Sequence, residues 1–371
     1  MSISFNEVPA NARVPGVYIE IDNSLANTAE DLQRILIIAP KGSADANKVI
    51  ATTIPDTALK NFGDGSVAHK MVTAVYNQTK SLSIYTIGVD GSDISAALAG
   101  IGDKQYHYIF SSFNDKANID RLANFLKDRY HALQQIPGLG FVAKEGTHAE
   151  LVTFAAQFNS PFISILGVNK LSLTNEEQLS AYFGQCANSL ATDPARPLQT
   201  LQLNKIKTTA ANEWEWSERN VLLYSGISTY RANCAKDVFV ERPITTYRKN
   251  NNDVADDSYL DITTIATAMF FRAKQRSRIL TKYPRHKLAA DGTQFAAGQT
   301  IVTPNLIKAE LLALYRELEE RGIVQEFADY KKSVITDIDN TNPSRINVQD
   351  SPIFINGLQI YAGKIQYRKI A

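Results

Sequence analysis

Five histidines, His69, His107, His131, His148 and His286, and two cysteines, Cys186 and Cys234, are the side chains of this 371-residue sequence best suited to catalysis. The histidines fall in five different predicted elements. No local spacing marks one as a general base, and each reads as a structural or surface side chain. The cysteines are far apart and fit no metal-ligand spacing, so they read as reduced, buried thiols of a protein made inside a cell. A phosphate loop of the form G-x-x-x-x-G-K-[ST] is absent, as are a G-x-S-x-G elbow and an H-E-x-x-H pair. Gly63-Asp64-Gly65 precedes a helix and has the form of an anion site at a helix amino end. A tight turn capped by Asp64 or Ser66 accounts for it as well. The acidic patches 253–257 and 337–339 lack the alternation and the closing glutamate of a calcium loop.

One concentration of charge remains. Arg272, Lys274, Arg276, Arg278, Lys282, Arg285 and Lys287 follow one another with no acid between them. Such a run suits phosphates, but the nearby Phe270, Phe271 and Tyr283 fall at helical core spacing rather than as a stacking platform. The run leaves a helix predicted over Ser258–Tyr283, whose entry carries Asp256, Asp257 and Asp261. Acids at the amino end and bases at the carboxyl end complement the helix dipole, yet seven bases exceed what capping needs. A second helix, Asn305–Arg321, ends at Gly322 and carries Glu310, Glu317, Glu319 and Glu320.

The elements that must position these residues alternate from residue 34 onward. Arg34–Ala39, Leu82–Val89, Tyr106–Ser112, Phe141–Lys144 and Pro161–Val168 read as strands. Val67–Lys80, Ser92–Gly100, Lys116–Gln134, Thr147–Phe158 and Asn175–Leu190 read as helices, the last capped by Thr174 or Asn175. This pattern predicts an α/β fold with a mainly parallel or mixed sheet flanked by helices. After Asp193-Pro194-Ala195-Arg196-Pro197, a rigid connection, the texture changes. A helix is expected within Trp214–Leu223 and a strand over Val238–Tyr247, interrupted by Pro243. Apolar residues make up 44% and charged residues 21%, with net charge +1, as in an ordinary globular protein without a global field for nucleic acid or membrane. The first residues have no basic n-region or apolar core and do not read as a signal peptide. The apolar stretch Ile262–Phe271 is too short to span a bilayer.

The two ends stand apart from this pattern. Val17, Tyr18, Ile19, Glu20 and Ile21 read as a short strand, in a stretch where Glu7, Glu20, Asp22, Glu30 and Asp31 face Arg13 alone. Residues 352–371 are rich in Ile, Tyr and Phe and carry Lys364, Arg368 and Lys369 without an acid. Asn356-Gly357 predicts a turn. Leu358, Ile360 and Ala362 then share one face, and Ile365 and Tyr367 continue it if Gly363 forms a bulge. Such a terminal strand either ends its own sheet or completes one in another molecule, and opposite charge at the two ends favours pairing.

Several segments together resemble the tail sheath proteins of contractile phage tails, closest to the Mu-like group. They are VPGVYIEIDNSLAN (14–27), FGDGS (62–66), DPARPLQTL (193–201), ERNVLLYSGIST (218–229), VERPITTYRKN (240–250), DDSYLDITTIATAMFFR (256–272), KYPRHKLAADG (282–292) and TIVTPNLIKAELLALYRELEERGIV (300–324). The similarity runs essentially end to end. The chain is short for that group, which implies missing outer decoration. The resemblance implies a structural subunit without catalysis or cofactor. Copies would stack as six-membered rings into a helical sheath around an inner tube protein and meet baseplate and tail terminator proteins. The sheath would sit in the virion, after synthesis in the bacterial cytoplasm, with no nucleic-acid contact and no membrane insertion. Terminal arms would add strands to neighbours' sheets, and contraction would drive the tube through a host envelope.

Four regions are expected: an amino-terminal arm over 1–24, an outer α/β domain over 25–250, an inner tube-facing domain over 251–354 and a carboxyl-terminal β-arm over 355–371. The expected arm strands are Val17, Tyr18, Ile19, Glu20 and Ile21, with Leu358, Ile360, Tyr361, Ile365, Tyr367 and Arg368. The basic run 272–287 supplies the tube-facing candidates. Hinges are expected near Asn23–Asn27 and Asp350–Pro352, whose residues are turn-prone. Alternatives are the sheath of a genome-free phage-derived bacteriocin or injection device, a Ser- or Asp-dependent α/β hydrolase, and a nucleic-acid binder using 272–287.

Overall fold

The computed structural model describes residues 33–169, 173–208 and 214–369. The expected strand Val17–Ile21 and the Asn23–Asn27 hinge lie outside them. One compact unit comprises Gln33–Arg272, Glu320–Gln325 and the chain from Phe354; a second comprises Ala273–Glu319 and Glu326–Ile353.

The first unit is built on a nine-stranded sheet. In chain order its elements are β1 (Arg34–Pro40), β2 (Val49–Ala51), α1 (Pro55–Phe62), α2 (Val67–Gln78), β3 (Ser83–Val89), α3 (Ser95–Gly100), β4 (Tyr108–Ser111), α4 (Lys116–Tyr130) and β5 (Leu139–Glu145). They continue with α5 (His148–Ala155), β6 (Ile163–Val168), α6 (Asn175–Thr192), β7 (Gln202–Lys207), α7 (Trp216–Tyr224), β8 (Ile227–Ala232) and β9 (Asp237–Arg242). The strand order is β2-β3-β1-β4-β5-β6-β8-β9-β7. The six strands from β3 to β8 run parallel, and β2, β9 and β7 join antiparallel. The sheet is therefore mixed, as the alternation of strands and helices predicts. Ile35–Ala39 and Ile163–Val168 are buried throughout, as central parallel strands covered on both faces must be.

Local chemistry sets the helix starts. Thr147 and Thr174 each accept a backbone N–H from the glutamate three residues on, which returns the bond, so α5 and α6 open on complete capping boxes. Ser66 accepts the His69 N–H and opens α2. Helix α4 stops at Tyr130, short of the predicted Gln134, where His131 turns extended at ψ 149° and its carbonyl accepts the Gln134 and Gln135 N–H groups in a turn. Strand β9 ends just before Pro243. The edge strands are irregular. β2 has three residues, and β7 shifts register around Lys205, which sits at φ 62°.

Helix α8 (Ile262–Lys282) follows. It begins four residues later than predicted, because Asp256 accepts the Ser258 N–H and the Leu260 N–H returns to the Asp257 carbonyl. The entry is thus a turn. The second unit continues with β10 (Lys287–Leu288), β11 (Ile301–Val302), α9 (Pro304–Glu320), α10 (Phe327–Ser333), β12 (Ile335–Ile338) and β13 (Ile346–Gln349). Tyr315 and Tyr330 stack in its core, 3.6 Å between ring centroids and 11° apart in plane. Strands β12 and β13 form a separate antiparallel pair, Ile335 opposite Gln349 and Ile338 opposite Ile346.

Candidate functional site

At the place where an α/β sheet of this order would hold a ligand, side chains pair with one another. The chain reverses direction about β1, and ligands in such sheets sit beyond the carboxyl ends of the strands at that point. Here Lys41 pairs with Asp90 at 3.1 Å and Arg121 with Asp93 at 3.2 Å. Asn114 donates to the Ala143 carbonyl at 2.8 Å. Gly42, at φ 54°, lies so close to α1 that a Cβ would stand 2.2 Å from the Phe62 carbonyl oxygen. Among the described residues no imidazole hydrogen-bonds a serine, threonine or cysteine side chain, and no three potential metal ligands cluster. His107 is buried and pushed down to about 4 by desolvation and by nearby Arg34. Its Nδ1 accepts the Arg34 N–H, which is a structural task. Cys186 is buried, which raises its thiol; Cys234 is exposed, against the expectation of two buried thiols, because it lies in the turn after β8. The acidic patches are also spent internally. Asp256 accepts the Tyr247 hydroxyl, and Asp339 accepts the backbone N–H groups of Thr341 and Asn342 and the Asn347 amide.

The basic run at the exit of α8 divides into two sets. Arg278 donates to Glu310 at 2.9 Å and to Glu317, and Lys282 pairs with Glu310 at 2.8 Å. Two like charges one turn apart on α8 are thus set against two carboxylates spaced two turns apart on α9. Burial opposes ionisation of Glu310, but the bonds from Lys282 and Arg278 outweigh it and hold its carboxyl below the ordinary value. Arg272 donates to the Tyr130 carbonyl at 2.7 Å and lies over the Tyr130 ring. Lys274 is half-buried. Arg276, Arg285 and Lys287 are exposed and make no ion pair among the described residues. Sequence spacing could not separate these sets, because the neutralising acids lie some thirty residues away.

The carboxyl-terminal segment is held at its root and bare beyond it. Asp350 accepts the Tyr330 hydroxyl at 2.9 Å and the Gln275 amide at 3.0 Å. The Ser351 N–H goes to Ser333, and the Ile353 N–H to the Tyr315 hydroxyl. Asp350–Ile353 is thus bonded within the second unit, and the chain passes to the first unit at Phe354. Phe354 bridges Val324 and packs edge-on against Phe271, and the Ile355 N–H donates to Ile323. The expected turn at Asn356-Gly357 does not form, nor does a ladder with a bulge at Gly363. Gly357 is needed for close approach instead, since a Cβ there would stand 2.6 Å from Pro197 Cγ. Beyond it Leu358, Ile360, Tyr361, Ile365 and Tyr367 are 71–92% exposed, and Arg368 is exposed as well.

The hairpin β12–β13 is the feature that sequence analysis missed. Its other edges pair with nothing among the described residues, and Ile335 and Val348 are 59% and 43% exposed. A shallow groove runs over Ile335, Asp337, Arg345 and Val348. The signal was present: two alternating runs flank the turn-rich stretch Asp339–Ser344, DNTNPS.

Comparison with known proteins agrees with this arrangement. The family model for the phage tail sheath protein central domain matches residues 88–246, and that for the phage tail sheath C-terminal domain matches residues 254–368. A Mu-like prophage tail sheath protein of Haemophilus influenzae is 44% identical over 280 residues, 76% of this chain; the chain spans 58% of that relative's length. The fold is also that of the anti-feeding prophage helical sheath in its contracted state, with TM-score 0.64 and 11% identity over 96% of this chain and all of that one. The sheath of an extracellular contractile injection system, PVC, in its contracted state gives 0.61 at 12% identity over 96% of this chain and 98% of that one. A sheath tail protein of Desulfitobacterium hafniense gives 0.60 at 12% identity over 92% and 100%. The two domain models run in order along most of the chain from residue 88 onward and take in both the α8–α9 unit and the bare terminal segment: the chain belongs to the phage tail sheath family, whose members are structural proteins and not enzymes.

Proposed function

We propose that this chain is a subunit of a contractile tail sheath, and that copies join by adding the terminal segment of one to the hairpin β12–β13 of another. The observation that carries this reading is a terminal segment rich in strand-forming residues that its own subunit leaves bare. An apolar strand of this kind is stable only against a sheet edge. Charge supports a particular arrangement. Asp337 on β12 suits the tail's Lys364, Arg368 and Lys369, whereas Arg345 at the start of β13 suits the acidic stretch around Glu20 and Asp22. Stacked six-membered rings around an inner tube, with baseplate and terminator proteins at the ends, complete the reading. The second unit, narrower than the 251–354 expected for an inner domain, is assigned to the tube side, with Arg276, Arg285 and Lys287 meeting an acidic tube. Individually weak exposed pairs, about 0–1 kcal/mol each, suit a contact that is given up on firing.

Deleting residues 358–371 tests the assembly step. The truncated chain is expected to fold with an unchanged melting profile and to form no tubes by electron microscopy. Sheaths of normal length from the truncated chain would refute the strand-addition reading. Imaging the native particle distinguishes a phage tail from a genome-free injection device.

A further inference from the structure

The segment leaves the subunit along a defined track. Past Ile355, Gly357 lies against Pro197, and Gln199 Nε2 donates to the Leu358 carbonyl at 2.7 Å. The surface under these contacts is stiff. Pro194 and Pro197 restrict φ, Leu198 is buried, and the Thr200 N–H is bonded to the Val240 carbonyl at 2.9 Å. Among the described residues, nothing from 359 to 369 hydrogen-bonds or ion-pairs to the remainder of the chain.

We propose that Pro197 and Gln199 form a guide that fixes where the terminal segment departs, so that its pivot lies at Leu358–Gln359. The consequence for assembly rests on the sheath reading above; the guide itself does not. With the pivot there, residues 359–369 swing as one piece that spans on the order of 35 Å when extended. A pivot at Asp350–Pro352 would give a longer and less directed reach. Pro197 and Gln199 are thus positioning residues: they select which neighbouring edge the segment meets without touching that edge. The small side of the contact must be glycine, because any β-carbon at 357 would push the chain off Pro197.

The experiment uses the full chain with the exposed Cys234 replaced by serine and nitroxides at Leu358→Cys, on the held side of the pivot, and Leu133→Cys. Leu133 is 89% exposed, and Cys186 is buried and out of reach. Pulsed electron resonance on the unassembled subunit is expected to give a narrow distance distribution. Gln199→Glu, which puts an acceptor against the Leu358 carbonyl, and Gly357→Ala are each expected to broaden it at least twofold with the same melting midpoint. A broad distribution in the parent, or an unchanged width in both variants, overturns the guide. The unlabelled proteins are then assembled with tube protein. Both variants are expected to give sheaths severalfold shorter than the parent's. Sheaths of equal length overturn the guide's role in assembly, whereas a parent that builds none counts against the sheath reading and leaves the resonance result standing.

Discussion

His107 and Glu310 respond to acid in different windows. His107 is held neutral by burial and by Arg34, so its folded value lies near 4, below the ordinary 6.5. As pH falls through that interval the unfolded chain takes up a proton that the folded chain refuses, and stability falls with it. His107→Asn keeps an acceptor for the Arg34 N–H and cannot titrate. Urea midpoints measured between pH 7 and 4.5 are expected to drop for the parent and to stay nearly level for the variant. Glu310 is depressed relative to its ordinary 4.5 by Lys282 and Arg278. Its contribution is present above that value and disappears as pH falls through the folded value. Glu310→Gln is expected to cost about 2 kcal/mol at neutral pH, because Arg278 and Lys282 lose the carboxylate between them. The same comparison at pH 3 is expected to show a much smaller difference.

At the level of elements, the exit of α8 separates stabilising charge from available charge. Reversing Arg276, Arg285 and Lys287 to glutamate is expected to leave the melting profile unchanged and to make tube attachment weaker and more salt-sensitive. Reversing Arg278 and Lys282 sets four acids together with Glu310 and Glu317, and is expected to lower the melting midpoint of the free subunit. Equal melting midpoints for the two sets, or unchanged tube attachment after the first, would count against this division. The α/β alternation was legible because buried parallel strands are continuous apolar runs and the helices between them carry threonine caps, as at Thr147 and Thr174. The edge strands β2 and β7 and the helix α1 were not, since they are short or irregular and owe their conformation to neighbours. The expected turn at Asn356-Gly357 failed because local turn chemistry lost to packing on Pro197. The basic run was legible as a cluster, but the neutralisation of Arg278 and Lys282 by α9 is a tertiary matter. The hairpin β12–β13 was overlooked although its turn signal was present.

For the molecule in its assembly, contraction is expected to run on contacts that improve as subunits reorient. The sequence carries no phosphate-loop signature. Burying on the order of 100–200 Å² more apolar surface per subunit would supply a few kcal/mol, at about 25 cal/mol per Å². The two compact units need not refold, since movement can be taken up by the terminal segments. Purified particles triggered by mild denaturant, with chelator present and nucleotide absent, are expected to contract. Subunits before and after are expected to superpose unit by unit. A strict nucleotide requirement, or a rearranged nine-stranded sheet, would refute this account. The margins of that sheet carry a further consequence. With β2 cut to three residues and β7 broken at Lys205, neither margin offers a straight ladder to a passing strand. Among the described residues, the straight free strand edges are therefore those of the small hairpin β12–β13 and not those of the largest sheet. A cell crowded with newly made copies can thus raise the rate of the intended joining without also raising the rate of random clumping.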